Sequence, residues 1–138
     1  MEYLWTKEIK KNKFEALDGD RKTDVLIIGG GMAGVLCALQ LEQNGVDYLL
    51  VEAKELGGGI TKGTTAVLTA QHDTLYKELI KTHGAEKARM YLHANLHAVD
   101  KFRKLSREID CNFEDKPSVM YSLQDSKIMK KEAEAVRL

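Results

Sequence analysis

Unbroken apolar runs and periodic apolar positions alternate along the first third of the chain. Val25–Ile28 and Tyr48–Val51 are short continuous runs, the first ending in three glycines and the second in Glu52. Such runs fit strands buried on both faces. Between them Met32, Val35 or Leu36, and Leu39 recur at helical spacing, while Gln40, Glu42, Gln43 and Asn44 are polar. Gly45 stands where a left-handed residue ends a helix. Strand, helix and strand within residues 24–52 predict a βαβ unit.

The later pattern is looser. Residues 57–70 are rich in Gly and Thr and carry no helical period, which predicts a loop with a short extended piece at 66–69. Asp73 is placed to cap a helix in which Leu75 faces Leu79 and Tyr76 faces Ile80, with Gly84 as its end. A longer helix is expected over 85–109, with Ala88, Leu92, Leu96, Val99, Phe102, Leu105 and Ile109 as its buried stripe. Pro117 resets the backbone before a strand at 119–122, and a last helix opens near Asp125 with Met129, Ala133 and Val136 on one face. The opening residues Leu4, Trp5, Ile9, Phe14 and Leu17 have no period, so 1–23 reads as an arm packed through Trp5 and Phe14. Residues 24–138 form the domain proper.

Composition narrows the function. The chain has 138 residues, 21 Lys and Arg against 21 Asp and Glu, and 43% hydrophobic residues. A net charge of zero offers no broad field for nucleic acid or an anionic membrane. The apolar runs fall far short of the roughly 20 residues a membrane helix needs, and no leader pattern opens the chain. A soluble cytoplasmic protein, with no nucleic-acid or membrane partner, is expected. Cys37 and Cys111 are too few and too far apart for a disulfide framework. His93 and His97 share a helix face but lack a third ligand, so no metal site is assigned. His72, at a helix start, is expected to bond backbone, and Tyr91 and Tyr121 to pack. The Lys and Glu of 77–89 and 127–137 read as solvated faces.

The chemistry is concentrated after the first strand. Gly29, Gly31 and Gly34 form a G-x-G-x-x-G that leaves a strand and opens a helix, with Glu52 closing the next strand. Gly29 permits the tight turn, Gly31 lets backbone approach a pyrophosphate, and Gly34 lets helix lie against strand. The pyrophosphate would face helix-start amides near Met32 and Ala33. Glu52 would accept hydrogen bonds from an adenosine ribose and repel a 2′-phosphate, which leaves NAD or FAD. The segment Gly57-Gly58-Gly59-Ile60-Thr61-Lys62-Gly63-Thr64-Thr65-Ala66 suits a phosphate or ribityl chain, though its composition equally suits an ordinary flexible loop.

Asp24-Val25-Leu26-Ile27-Ile28-Gly29-Gly30-Gly31 with Gly34, then Glu52, then Gly63-Thr64-Thr65-Ala66-Val67-Leu68-Thr69-Ala70-Gln71-His72, resemble the N-terminal part of FAD-dependent oxidoreductases of the D-amino acid oxidase and glycine oxidase family. The Thr-Thr-Ala and Leu-Thr-Ala-Gln-His stretches, with Leu4-Trp5-Thr6, are most similar to a bacterial branch bearing a C-terminal Rieske domain. The resemblance implies FAD, with Gly29, Gly31 and Gly34 around the pyrophosphate and Glu52 with Ala53 at the ribose. It places Ile60, Thr61, Thr65 and Ala66 along the rest of the flavin. It also implies an amine or amino-acid substrate whose hydride passes to the flavin.

The expected architecture is therefore α/β: a Rossmann-like FAD/NAD(P)-binding domain, incomplete, with its N-terminal βαβ unit and helices present. The family's substrate-binding sheet, later strands and Rieske ligands are expected beyond position 138, so Cys37 and Cys111 hold no cluster. No catalytic residue is assigned within the chain, which alone is expected to be inactive. A NAD-dependent dehydrogenase or reductase module is the alternative. Another is a non-catalytic fragment that docks on another chain, on the missing C-terminal portion or on itself through an open sheet edge.

Overall fold

The computed structural model describes residues 13–124 and 126–137. The described order is β1 (Val25–Ile28), α1 (Met32–Gln43), β2 (Tyr48–Val51), α2 (Leu75–Ser106) and α3 (Ser126–Ala135), with one 3-10 turn at Ile60–Gly63 inside the Gly- and Thr-rich loop. The chain divides into two compact units, Met1–Ala66 and Val67–Leu138.

In the first unit β1 and β2 pair in parallel, with Val25 opposite Tyr48 and Ile28 opposite Val51. A parallel pair needs a crossover, and α1 supplies it. The helix packs on both strands. Its Gly34 lies so close that an added Cβ would overlap the Gly29 carbonyl oxygen and press within 3.3 Å of Ile27 Cγ2. Ile27 and Ala38 are accordingly buried. The end of α1 follows the sequence pattern. Gly45, at φ 65°, takes the left-handed position. Its amide bonds Glu42 O at 3.1 Å and the Val46 amide bonds Leu41 O at 3.0 Å, the two bonds of a Schellman cap.

One expectation fails here. β1 is covered on one face only: Ile27 is 9% exposed but Leu26 and Ile28 are 53% and 82% exposed. Side chains alternate between faces, and α1 covers the Ile27 side. The arm also differs, because Phe14 is 71% exposed rather than packed. Leu4, Trp5 and Ile9 lie outside the described residues, as do Asp125 and Leu138.

In the second unit α2 is broken at Gly84, whose φ of 83° and ψ of 161° are not helical. The expected stop and restart are therefore both present, although the second arm ends at Ser106 rather than at 109. Its stripe is partly open: Ala88 is buried, yet Leu96 and Ile109 are exposed. Asp73 does not cap α2. It sits at φ 47°, and the capping acceptor comes from α3. Glu132, 1% exposed, accepts the Tyr76 amide at 2.7 Å and the Lys77 amide at 3.0 Å, one on each carboxylate oxygen. These amides are among the donors a helix start leaves unpaired. The carboxylate there also suits the positive end of the helix dipole. Glu132 thus leaves the solvated face assigned to it by charge pattern.

Residues 119–122 are not a strand, because among the described residues no other strand pairs with them. The irregular segment before α3 is tied to α2 by Arg103, which holds Asp115 through Nε and Nη2 at 3.0–3.2 Å. Ser118 also donates to Gln71 Oε1 at 2.8 Å. His72 meets the Tyr91 hydroxyl at 3.1 Å through Nδ1 instead of bonding backbone through its ring. The Tyr76 hydroxyl donates to Ala70 O in a short bond, and burial pushes its pKa up.

Candidate functional site

The strand-turn-helix corner of the first unit gathers most of the residues that the motif singles out. Gly29 leaves β1 at φ 107°, a region that side-chain-bearing residues seldom enter. Its amide still bonds Val51 O at 2.8 Å, so the turn starts from the sheet. Gly30 is buried against β2. An added Cβ there would overlap Leu56 Cδ2 and lie 3.2 Å from Glu52 Cβ. Gly34 is required by the contact with Gly29 already described.

Gly31 differs from the other three. It is the N-cap of α1 with extended backbone, and an added Cβ would meet only Thr61 Oγ1, at an ordinary 3.4 Å. Packing therefore requires glycine at 30 and 34 and the positive φ requires it at 29, while neither requires it at 31. A missing Cβ at the start of a helix leaves backbone open to a ligand.

Glu52 closes the corner from the β2 side. Oε2 accepts the Gly30 amide at 2.7 Å and Oε1 accepts the Lys54 amide at 2.9 Å. The Gly30 bond first, and the Lys54 bond second, hold its carboxyl below the ordinary glutamate range. The Ala53 amide adds a smaller contribution, and an ionised carboxylate, with about four acceptor positions, still has capacity for another donor. The motif directs attention to Gly29, Gly31 and Gly34 and passes over Gly30. Yet Gly30 joins the corner twice, through Glu52 and through its carbonyl, which accepts the Gly57 amide at 2.8 Å. The run of three consecutive glycines, with Gly30 in its middle, is the signal for it.

The Gly- and Thr-rich loop reaches the same corner through Thr61. Its hydroxyl oxygen accepts the Met32 amide at 3.0 Å. The motif predicts an unpaired Met32 amide, and the structure instead pairs it with Thr61. Ala33 follows in the first helical turn, where no residue of the helix can accept its N–H. Ala53 is exposed beside Glu52, and Ile60 is 90% exposed next to Thr61. Thr65 and Ala66 lie further on. The Ala66 amide bonds the Thr64 hydroxyl at 3.4 Å, and Ala66 has a φ of 55°. The structure thus brings Gly29, Gly31, Met32, Gly34, Glu52 and Thr61 together and leaves Thr65 and Ala66 outside that cluster.

Sequence comparison places the chain among known proteins. A family model described as "FAD dependent oxidoreductase" matches residues 24–138. A Bacillus subtilis protein named as a Rieske 2Fe-2S iron-sulfur protein is 35% identical over 131 residues, covering 94% of this chain and 26% of that protein. Gamma-glutamylputrescine oxidoreductase of Escherichia coli is 26% identical over 102 residues, covering 72% of this chain and 24% of the relative. The 3-oxosteroid 1-dehydrogenase of Mycolicibacterium smegmatis is 30% identical over 88 residues, covering 63% and 15%. The chain thus spans about a quarter of the length of the first two relatives. No solved structure gives a significant match.

Proposed function

Because the chain belongs to the FAD-dependent oxidoreductase family, we propose that it is the N-terminal part of the FAD-binding domain of an enzyme that oxidises an amine or amino-acid substrate. Residues 24–138 make up that part, preceded by an arm over 1–23. The observation that carries the reading is Gly31, at the start of α1, which neither packing nor backbone angle requires to be glycine, whereas Gly30 and Gly34 are fixed by packing and Gly29 by its positive φ. The residues fit the cofactor on that ground. Gly29, Gly31 and Gly34 shape the turn, and the Ala33 amide, with the Met32 amide once Thr61 releases it, faces the pyrophosphate, where the helix dipole favours negative charge. Glu52, with Ala53 beside it, takes the adenosine ribose hydroxyls on its free acceptor positions. Ile60, Thr65 and Ala66 lie along the remainder of the flavin, as does Thr61 once its hydroxyl has left the Met32 amide.

FAD, once bound, supplies the hydride acceptor, and the protein supplies orientation and electrostatics. The chain's own part is to bind and orient. The two backbone bonds on Glu52 fix its carboxylate and keep it charged, so that it favours a ribose diol and repels a phosphorylated ribose. The amine class of the substrate draws support from the similarity to a relative named for gamma-glutamylputrescine. Titration of the chain with FAD, followed by flavin fluorescence, tests the reading. Saturable binding that Gly31→Val removes supports it, and binding that survives the substitution contradicts it.

A further inference from the structure

We infer that Thr61 competes with the pyrophosphate for the first amide of α1, so that dinucleotide entry requires the Ile60–Gly63 turn to swing off the helix start. The inference rests on the reading of the glycine corner as the pyrophosphate site. Thr61 Oγ1 lies 3.0 Å from the Met32 nitrogen and 3.4 Å from the point where a Cβ of Gly31 would stand. It therefore covers the patch of backbone that the missing side chain leaves bare. A phosphate oxygen bonded to the same N–H needs a position about 2.9 Å from that nitrogen, in the same direction. Two oxygens cannot share that position, so one displaces the other.

The turn is built to be displaced. Ile60, its large apolar side chain, is 90% exposed, so moving it uncovers little apolar surface. The bonds that seat it are polar. The Gly57 amide donates to Gly30 O at 2.8 Å and the Lys62 amide to Gly57 O at 3.2 Å. The Lys62 ammonium sits 3.2 Å from Glu55 Oε1. Gly57, at φ 67°, and Gly59 both precede the segment and supply backbone freedom on its N-terminal side. Thr61 thus sets a threshold for cofactor entry, while the glycines and Glu52 set the geometry.

The test is an FAD titration of the chain, Thr61→Val, Thr61→Ser and Gly31→Val. Removing the competing hydroxyl should tighten FAD binding by about three- to tenfold, the worth of one net hydrogen bond. Thr61→Ser, which keeps the hydroxyl, should tighten binding less than Thr61→Val. Unchanged or weaker binding by Thr61→Val overturns the competition but leaves the site reading standing. FAD binding that persists in Gly31→Val overturns the site reading and the inference with it. A second readout needs no FAD: exchange of the Met32 amide with solvent should be faster in Thr61→Val than in the parent, and equal rates overturn the inference. Thr61→Ala repeats both measurements should the valine variant fold poorly.

Discussion

Single residues in the glycine corner have separable duties. Gly34→Ala drives a Cβ into the Gly29 carbonyl, and overpacking of this kind costs about 1–3 kcal/mol. Chemical denaturation should show that loss, whereas Gly31→Ala should unfold with the parent and lose only FAD affinity, by tenfold or so for one lost close contact. Glu52 gives a pH signature. Its folded-state pKa is lowered, below the ordinary glutamate value of about 4.3. The stabilisation from its bonds to Gly30 and Lys54 is therefore complete above that value and fades as pH falls through the lowered one. The Gly30 amide resonance should stay constant from neutral pH down to the ordinary glutamate range and move only in stronger acid, with no such step in Glu52→Gln. Movement near neutral pH would mean that the carboxylate is not held as described. The motif spacing made Gly29, Gly31, Gly34 and Glu52 legible, because each has a local job that follows from turn and helix geometry. It could not reveal that Thr61 holds the Met32 amide across 29 positions, since pattern carries no information on which loop folds back where.

Elements show the same division between local and distant causes. The Schellman cap of α1 and the break at Gly84 were readable because glycine at a left-handed position signals them directly. The cap of α2 was not: Asp73 stood at the right place in sequence, but Glu132, 56 positions after Tyr76, does the work. Glu132→Ala should destabilise the second unit by about 2–3 kcal/mol, as expected for charge-assisted bonds whose donors are left without acceptors. Glu132→Gln should cost less, since it keeps one acceptor oxygen. An equal and negligible effect of both, read from denaturation curves, would show that the cap contributes nothing. β1 offers a comparable contrast. Ile27→Ala should cost about 2–5 kcal/mol and Ile28→Ala less than about 0.5 kcal/mol, because only the first side chain is covered. The continuous apolar run had suggested burial on both faces. Composition alone cannot distinguish a strand covered twice from one covered once.

At the scale of the whole molecule, the family match over 24–138 agrees with the α/β reading. It also agrees with FAD as the family's cofactor. The chain spans about a quarter of the length of its first two relatives, and cofactor capture is the property of this chain that tests the proposal. Among the described residues no helix is long and apolar enough to cross a membrane. The whole proposal reduces to whether the bare backbone at Gly31 holds FAD. The visible absorption spectrum of the chain with added FAD, after removal of free flavin, measures this directly. The parent should retain shifted flavin bands and Gly31→Val should retain none while keeping its helical circular dichroism. Flavin retained equally by both, or by neither, would contradict the proposal.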